Sequence, residues 1–247
     1  MMNLKSTSQM GNSAGFYASG AGDRLFSDEH FPTAISAFLQ SERTLLAGAA
    51  THKKAIVEVG CHEGTYAKWA KAAGKLYLGV DPVERYIRQG LAKHSDLDVT
   101  ECKLVVGNAE QVDEIIAREL DGILPNDILI FIPFNCFGNI TDVESAVGSI
   151  ARSGCSLFLS SYQTSPLALS ARFSYYAACA YNPLILSRTE RGELFHDNKG
   201  LHTYAYAAEW LTDLFSRFAI TVSPVLHGEI GQAFVTSDIE EVTAGIL

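Results

Sequence analysis

The segment Val57–Gly64 (VEVGCHEG) joins an apolar run to a stretch of helical character and carries the first candidate site residues. Glycines at such a strand-to-helix junction let the backbone turn tightly and approach a ligand, with the first amides of the helix facing it. Gly60 and Gly64 stand at the first and fifth positions of this turn, with His62 between them. The segment predicts a small-molecule site, with the carboxylate of Glu58 just ahead of the turn.

Two further polar residues end the next apolar runs. Asp81 follows Gly64 by 17 residues, and a carboxylate at a strand tip can accept hydrogen bonds from both hydroxyls of a ribose. Asp81-Pro82 is equally good sequence for starting a helix, and both roles can hold together. Asn108 precedes Ala109. Its amide can bind the amine of an adenine ring or cap the next helix, and the sequence leaves these roles open.

Later segments are rich in amides and aromatic rings. Residues 130–140 have no acidic side chain but offer Asn135 and Asn139, and an amide carbonyl can accept a hydrogen bond from an amine. Residues 166–181 predict a helix with Tyr176 on a mainly apolar face. That face is compatible with core packing and with a ring that contacts a cation.

The elements that must position these residues follow an alternating pattern. Apolar strand candidates lie at 54–59, 75–80, 102–106, 127–132 and 155–160, and helical stretches lie at 64–73, 82–93, 109–119 and 141–151. This alternation predicts a parallel sheet with helices on both faces. We expect a helix over 32–50 and, after the fifth strand, a helix over 166–181, a loop over 184–204, a helix over 207–218 and strands at 219–224 and 232–236. The predicted organisation is an N-terminal lid and helix over 1–50 and a catalytic domain over 51–247, with a lid insertion at about 163–204.

Composition narrows the class of partner. The 247 residues carry a net charge of −9, which disfavours nucleic acids and anionic membranes. No run of 18 apolar residues and no signal-like leader is present, and the five cysteines include no C-x-x-C pair. We therefore expect a cytoplasmic monomer or homodimer with reduced thiols, no metal and a small-molecule ligand.

Taken in order, the three motifs resemble those of class I S-adenosylmethionine (SAM)-dependent methyltransferases, across roughly residues 54–161. The resemblance implies a Rossmann-like α/β fold with a mostly parallel seven-stranded sheet, an antiparallel last strand and helical lid insertions. It implies that Glu58 reaches the methionyl amine through water or neighbouring groups, that Asp81 binds the ribose and that Asn108 lies beside the adenine. Other implied SAM contacts are Gly60, Cys61, Gly64, Ala109, Phe134, Asn135 and Tyr17. His62 departs from the family, which usually has glycine there.

Three later segments resemble the bacterial SAM-dependent azetidine-2-carboxylate synthases: Pro133–Asn139, the helix bearing Tyr175 and Tyr176, and Leu201–Tyr204. Those enzymes cyclise SAM to azetidine-2-carboxylic acid and release 5′-methylthioadenosine. The resemblance implies that Asn139 holds the amine, that Tyr176 faces the sulfonium, with Tyr175 able to exchange roles with it, and that Thr203 positions the reacting chain. It also implies that Phe16 and Tyr17 close over the pocket as a lid.

Other reactions remain open for the same pocket. A small-molecule methyltransferase of natural-product biosynthesis would bring an outside nucleophile to SAM, and an aminobutyryl transferase would bring an outside amine. For such enzymes a histidine can serve as the base, and His62, His202 and His227 are the candidates, although a structural role is the prediction for each. A protein that binds SAM without turnover is the alternative outside the enzymes.

Overall fold

The fold is built on ten strands within residues 13–239, which are the residues that the computed structural model describes. The strands are β1 Ala55–Val59, β2 Leu76–Asp81, β3 Cys102–Val106, β4 Ile128–Ile132, β5 Ser156–Tyr162, β6 Ile185–Thr189, β7 Gly192–His196, β8 His202–Tyr206, β9 Val222–His227 and β10 Gly231–Thr236. Seven of them form one sheet in the order β3-β2-β1-β4-β5-β10-β9. The strands β1 to β5 run parallel, and β10 is antiparallel to both of its neighbours.

Helices cover both faces of this sheet. They are α1 Ser13–Ala18, α2 Thr33–Ala49, α3 Ala67–Ala72, α4 Glu84–Lys93, α5 Val112–Glu119, α6 Val143–Ser153, α7 Pro166–Ala178 and α8 Ala208–Arg217. Apolar residues of α5, α6 and α8 form one core with Val57 of β1, and those of α2, α3 and α4 form the other with Ile56. Successive residues of a strand point to opposite faces, so β1 is buried on both sides. The predicted α/β architecture is confirmed.

A second, three-stranded antiparallel sheet lies between β5 and α8, in the order β6-β7-β8. The sequence predicted a loop over 184–204, and that prediction is wrong. The strand β6 is exposed at four of its five positions, so its residues lack the apolar alternation that marks a strand. Together with α7, this sheet occupies residues 163–206 and covers the carboxyl end of β5.

Residues 13–31, here called the N-terminal strap, connect α4 with the chain that follows α7. Asp23 accepts two hydrogen bonds from the Arg85 guanidinium, at 3.0 and 2.7 Å, and one from the Tyr86 hydroxyl at 2.7 Å. On the other side, the Tyr181 hydroxyl donates to the Ala21 carbonyl at 2.6 Å. Of the predicted N-terminal lid and helix over 1–50, the structure describes this strap and α2, and residues 1–12 lie outside the described residues.

No helix within residues 13–239 combines the length and the apolar character that a membrane span needs.

Candidate active site

A cavity of about 770 Å³ lies at the carboxyl ends of the parallel strands. This edge, where the strand order reverses between β1 and β4, is where open α/β sheets bind ligands. Among the residues lining the cavity are Tyr17, Phe26, Glu42, Glu58, Gly60, His62, Asp81, Asn108, Ala109, Phe134, Asn135, Cys136, Asn139, Tyr162, Tyr175, Tyr176 and Thr203. The sheet, the strap and the segment 163–206 all contribute to its wall.

The turn after β1 has the conformation that the sequence predicted. Gly60 has a φ of +78°, and a Cβ added there would lie 2.1 Å from the Cys136 sulfur. Only glycine fits this position without displacing the turn after β4. Gly60 therefore allows the turns after β1 and β4 to pack closely, and it lines the cavity.

His62 adopts a φ of +53° in the same turn. Its ring lies between Phe26 of the strap and Tyr86 of α4, with centroid distances of 4.1 Å to each. Burial lowers the pKa of His62 to about 4, because the charged form loses hydration. This histidine is a neutral aromatic wall of the cavity at pH 7.

Asp81 ends β2 and is 6% exposed. Its two carboxylate oxygens accept hydrogen bonds from the His62 and Val83 amides, each at 2.9 Å. The side chain thus fixes the turn after β1 and the start of the next turn, while α4 itself begins after Val83. Burial raises the pKa of Asp81 to about 6. Each oxygen retains a lone pair for a ligand.

Tyr66 donates hydrogen bonds to two fully buried carboxylates, Glu58 and Glu42. Glu58 accepts hydrogen bonds at Oε2 from the Tyr66 amide, at 3.1 Å, and from the Tyr77 hydroxyl. Its Oε1 has no partner among the described residues, and burial raises the pKa of Glu58 to about 8. Glu42 of α2 accepts from the Tyr66 hydroxyl and the Phe134 amide, at 2.7 Å each. Burial raises its pKa as well.

Glu42 was missed by the sequence analysis. It lies on the buried face of α2, in line with Phe38 and Leu45 at helical spacing. A carboxylate on an otherwise apolar helical stripe was the available signal, because a charged group is rarely buried without a function or a partner.

Asn108 and Ala109 follow β3 and line the cavity as predicted. Asn108 is exposed, and its side chain makes no capping hydrogen bond to the short 3-10 turn Ala109–Gln111. The helix-capping alternative for Asn108 is therefore wrong, and its amide is free to meet a ligand.

Asn135 is used by the protein itself. Its Nδ2 donates to the Tyr204 carbonyl at 2.8 Å and to the Thr203 hydroxyl at 3.2 Å. Its Oδ1 accepts from the Ser161 hydroxyl at 2.8 Å. The buried amide therefore ties β8 to the carboxyl ends of β4 and β5, and it presents Thr203 to the cavity.

Asn139, Tyr175 and Tyr176 are brought to the same cavity. Asn139 donates a long hydrogen bond of 3.5 Å to the Asn135 carbonyl, which leaves its own carbonyl oxygen available. The Tyr175 hydroxyl donates to the Leu25 carbonyl and so fastens the strap. Of the two tyrosines, Tyr176 is the one whose hydroxyl is not committed to the strap, and its ring lies 5.2 Å from that of Tyr175.

Solved structures share this architecture over most of the chain. A SAM-dependent methyltransferase from Aquifex aeolicus is 11% identical, with a TM-score of 0.56, over 88% of this chain and 96% of its own. A second similar structure is the 1,6-didemethyltoxoflavin-N1-methyltransferase from Burkholderia thailandensis, solved with 1,6-didemethyltoxoflavin and S-adenosylhomocysteine (SAH). It is 14% identical, with a TM-score of 0.56, and the match covers 91% of this chain and 85% of that one. The magnesium protoporphyrin IX methyltransferase from Synechocystis, solved with SAH, is 12% identical, with a TM-score of 0.58. The match covers 91% of this chain and 98% of that one.

This chain has the class I SAM-dependent methyltransferase fold. No family model matches its sequence, and no curated protein matches it. These neighbours are methyltransferases, so the narrower resemblance to azetidine-2-carboxylate synthases stays a prediction.

Some residues expected at the site lie elsewhere in this methyltransferase fold. Cys61 is fully buried beneath β2, and Gly64 packs against His94 and Leu104, so neither lines the cavity. Their contribution is to the shape of the turn. Phe16 is buried behind Tyr17, with the two rings 5.1 Å apart, and of this pair only Tyr17 lines the cavity.

Of the three histidine candidates, His62 alone lines the cavity. His227 lies between the hydroxyls of Ser41 and Ser160, at 2.8 and 3.4 Å, and burial lowers its pKa to about 4. His202 contacts Tyr204 on the second sheet. Neither of these two lines the cavity. Across residues 13–239, no three His, Cys, Asp or Glu side chains are arranged to hold a metal ion.

Proposed function

We propose that this protein is a SAM-dependent enzyme that transfers the methyl group to a small molecule held in the cavity. The observation that carries the proposal is the convergence, in one cavity of the methyltransferase fold, of the Gly60 turn, the Asp81 carboxylate and the unpaired Oε1 of Glu58. SAM supplies a sulfonium whose methyl carbon is open to attack by a nucleophile.

The polar groups suit the parts of SAM. Asp81 would accept hydrogen bonds from the ribose hydroxyls with the lone pairs that His62 and Val83 leave free. Asn108 would contact the adenine, since its amide makes no cap. Glu58 Oε1 would accept from the methionyl amine, which would give this buried oxygen the partner it lacks.

The charge of the site also favours a cationic ligand. The donors to Glu42 and Glu58 are backbone amides and tyrosine hydroxyls, all of them neutral. The Ser160 hydroxyl and the exposed Arg43 also lower the pKa of Glu42, but burial raises it more, so the two buried carboxylates are costly to ionise. A ligand with a sulfonium and an ammonium would supply the missing positive charge, and it would favour ionisation of both side chains.

The protein contributes chiefly orientation and exclusion of water. The strap and α7 enclose the cavity, and holding reacting atoms about 3–3.5 Å apart can lower a barrier by roughly 7–11 kcal/mol in well-aligned cases. His62 is a weak base because its pKa is held near about 4. The proposed methyl acceptor is therefore one whose nucleophile needs little help in losing its proton.

Cyclisation of SAM to azetidine-2-carboxylic acid is the second candidate. It is favoured by the free carbonyl of Asn139 and the ring of Tyr176, both of which line the cavity. Asn139 would orient the attacking amine, Tyr176 would meet the sulfonium, and Thr203 would position the chain between them. An aminobutyryl transfer would use the same groups with an outside amine.

The test is product analysis by mass spectrometry, with SAM alone and with a panel of phenolic, heterocyclic and amine acceptors. Methyl transfer gives SAH and a methylated acceptor, whereas cyclisation gives 5′-methylthioadenosine and azetidine-2-carboxylic acid from SAM alone. Release of 5′-methylthioadenosine that depends on an amine identifies aminobutyryl transfer. A protein that binds neither SAM nor SAH by calorimetry contradicts all three reactions.

Tyr176→Ala tests the reacting end of the cavity. We expect turnover to fall by about tenfold or more, with a smaller change in SAH affinity, if the ring stabilises charge in the transition state. Phe173→Ala is the matched control, since Phe173 is on the same helix but is 53% exposed. Equal turnover of the two variants would remove Tyr176 from the mechanism.

A further inference from the structure

Arg172 is a fully buried cation without an anionic partner. Its guanidinium donates to the Thr203 carbonyl at 3.0 Å and to the Glu193 carbonyl at 3.4 Å. Within residues 13–239 its Nε has no acceptor, and Arg172 takes part in none of the ion pairs found there. A buried charge that lacks a counter-charge is strongly destabilising. The two carbonyls offset only part of that cost.

Aromatic rings surround the guanidinium between the cavity and the second sheet. It lies 4.9 Å from the Phe195 ring centroid, 5.5 Å from that of Tyr162 and 5.8 Å from that of Tyr176. Two of these three rings, Tyr162 and Tyr176, also line the cavity. The positive charge of Arg172 therefore lies directly behind the cavity wall, where low polarity strengthens its field.

The Tyr162 hydroxyl is a second unpartnered group at this wall. Tyr162 ends β5 and is 1% exposed, and its hydroxyl has no hydrogen-bond partner in the part of the chain that the structure describes. Burial raises the pKa of Tyr162 well above its usual range, so the hydroxyl keeps its proton and remains a donor. Thr203, which lines the same cavity and whose carbonyl accepts from Arg172, accepts a hydrogen bond from Asn135 at its hydroxyl oxygen, so its own hydroxyl proton is available to a ligand.

We infer that Tyr162 and Thr203, backed by Arg172, form a binding site for a carboxylate at the inner wall of the cavity. A planar carboxylate can accept from both hydroxyls at once and carries the single negative charge that one guanidinium balances. The inference rests on the proposed function, because that function names the two sources of the carboxylate. They are the methionyl end of SAM and an acidic acceptor.

Binding calorimetry on the full chain separates these sources, with Tyr162→Phe and Arg172→Met as the variants. If the carboxylate belongs to SAM, both variants weaken SAH binding by about tenfold. Binding of 5′-methylthioadenosine, which lacks the amino-acid end, changes less than about twofold. If the carboxylate belongs to the acceptor, both variants bind SAH as tightly as the wild type does. In that case the SAH-saturated wild type binds benzoate at least about tenfold more tightly than it binds benzamide, the neutral isostere. Each variant loses this preference for benzoate.

The control is Tyr206→Phe, which removes the hydroxyl of a buried tyrosine outside the cavity and should change neither affinity. Tyr162→Phe keeps the ring, so it tests the site even if Arg172→Met unfolds, which thermal melting will show. Unchanged SAH affinity in Tyr162→Phe, together with no preference for benzoate in the wild type, overturns the carboxylate site. Absence of SAH binding to the wild type contradicts the proposed function instead, and benzoate then tests the site in the ligand-free protein.

Discussion

Asp81 binds two backbone amides and also faces the cavity, so one carboxylate serves both the fold and the ligand. In Asp81→Asn one of the two acceptor oxygens is replaced by a side-chain amide NH2 group, a donor that faces a backbone N–H donor. We expect the free energy of unfolding to fall by about 1–3 kcal/mol and SAH affinity to fall by about tenfold or more. Urea unfolding and calorimetry measure the two effects.

Asp113→Asn is the matched control for that substitution. Asp113 also accepts hydrogen bonds, from Ser149 and Arg152, but it lies outside the cavity. Its replacement should leave SAH affinity unchanged. If Asp81→Asn binds SAH as tightly as this control does, the ribose role of Asp81 is wrong.

Glu58 makes stability depend on pH. Its folded pKa of about 8 lies above that of an exposed glutamate, about 4.3, so the folded state binds the proton more tightly. Its contribution is complete below the unfolded pKa and is lost as the pH rises through about 8. Between pH 6.5 and 8 we expect the free energy of unfolding to decrease by up to about 1.4 kcal/mol per pH unit.

The measurement compares urea unfolding of the wild type and Glu58→Gln at pH 6.5 and 8. The folded pKa values of Asp81, His62 and His227, at about 6, 4 and 4, lie below this window. Unfolded histidines titrate at about 6.5 and so add an opposite change with pH, but both proteins share that change and it cancels in the comparison. The variant should lose the decrease. Parallel pH profiles for the two proteins would mean that Glu58 is ionised in the folded state at pH 6.5.

The sequence predicted some site residues far better than others. Gly60 and Asp81 could be predicted because each stands at a fixed place relative to an apolar run. Tyr162 and Arg172 could not, because their meeting depends on how α7 folds back over β5. No sequence pattern near either residue predicts how α7 packs over β5.

Among the elements, β8 is the one that completes the site. It carries Thr203 and is held to the carboxyl edge of the main sheet by Asn135. The sequence did not predict β8, because the strands of its sheet are short and the outer strand β6 is largely exposed. The helix α7 was predictable, since Ser165 caps its first turn and Pro166 opens it.

Gly138 sets how closely β8 approaches the turn after β4. A Cβ at this position would lie 2.1 Å from the Tyr204 carbonyl oxygen and 2.7 Å from the Asn135 amide nitrogen. Gly138→Ala should therefore separate the two sheets locally and lower the free energy of unfolding by about 1–3 kcal/mol, as overpacking does. Urea unfolding measures the change.

Gly148→Ala provides the comparison within α6. There the added methyl meets only the Phe218 ring and the end of the Arg152 side chain, at 3.3 and 3.4 Å, so the change should be clearly smaller. Equal effects of the two alanines would show that the contact at Gly138 yields without cost.

For the molecule as a whole, the strand pattern was the strongest sequence signal. The strands β1, β4 and β5 are buried at every residue, and such strands read as continuous apolar runs. The resemblance implied a mostly parallel seven-stranded sheet with an antiparallel last strand, but the order of the strands was not predicted. The strand-to-helix rhythm alone predicts parallel strands but leaves several orders open.

Ligand binding should be visible in the stability of the entire chain. A ligand that binds only the folded state at a hundred times its Kd adds about 2.7 kcal/mol, which for a protein of this size corresponds to a rise in Tm of about 5–10 °C. We expect that rise with SAH in a thermal scan and a smaller one with adenosine. An unchanged Tm at millimolar SAH would contradict the proposed site.

The strap has a consequence for the order in which the molecule assembles. The strap precedes β1 in the chain, yet the hydroxyl that holds Ala21 belongs to Tyr181, 160 positions later. Contacts between residues so far apart in sequence form late, because the entropy cost of closing a long loop comes before the contact stabilises the chain. We expect the nascent chain to complete β1 to β5 with the cavity still open, and the strap to dock as a last step that ligand already present can accelerate.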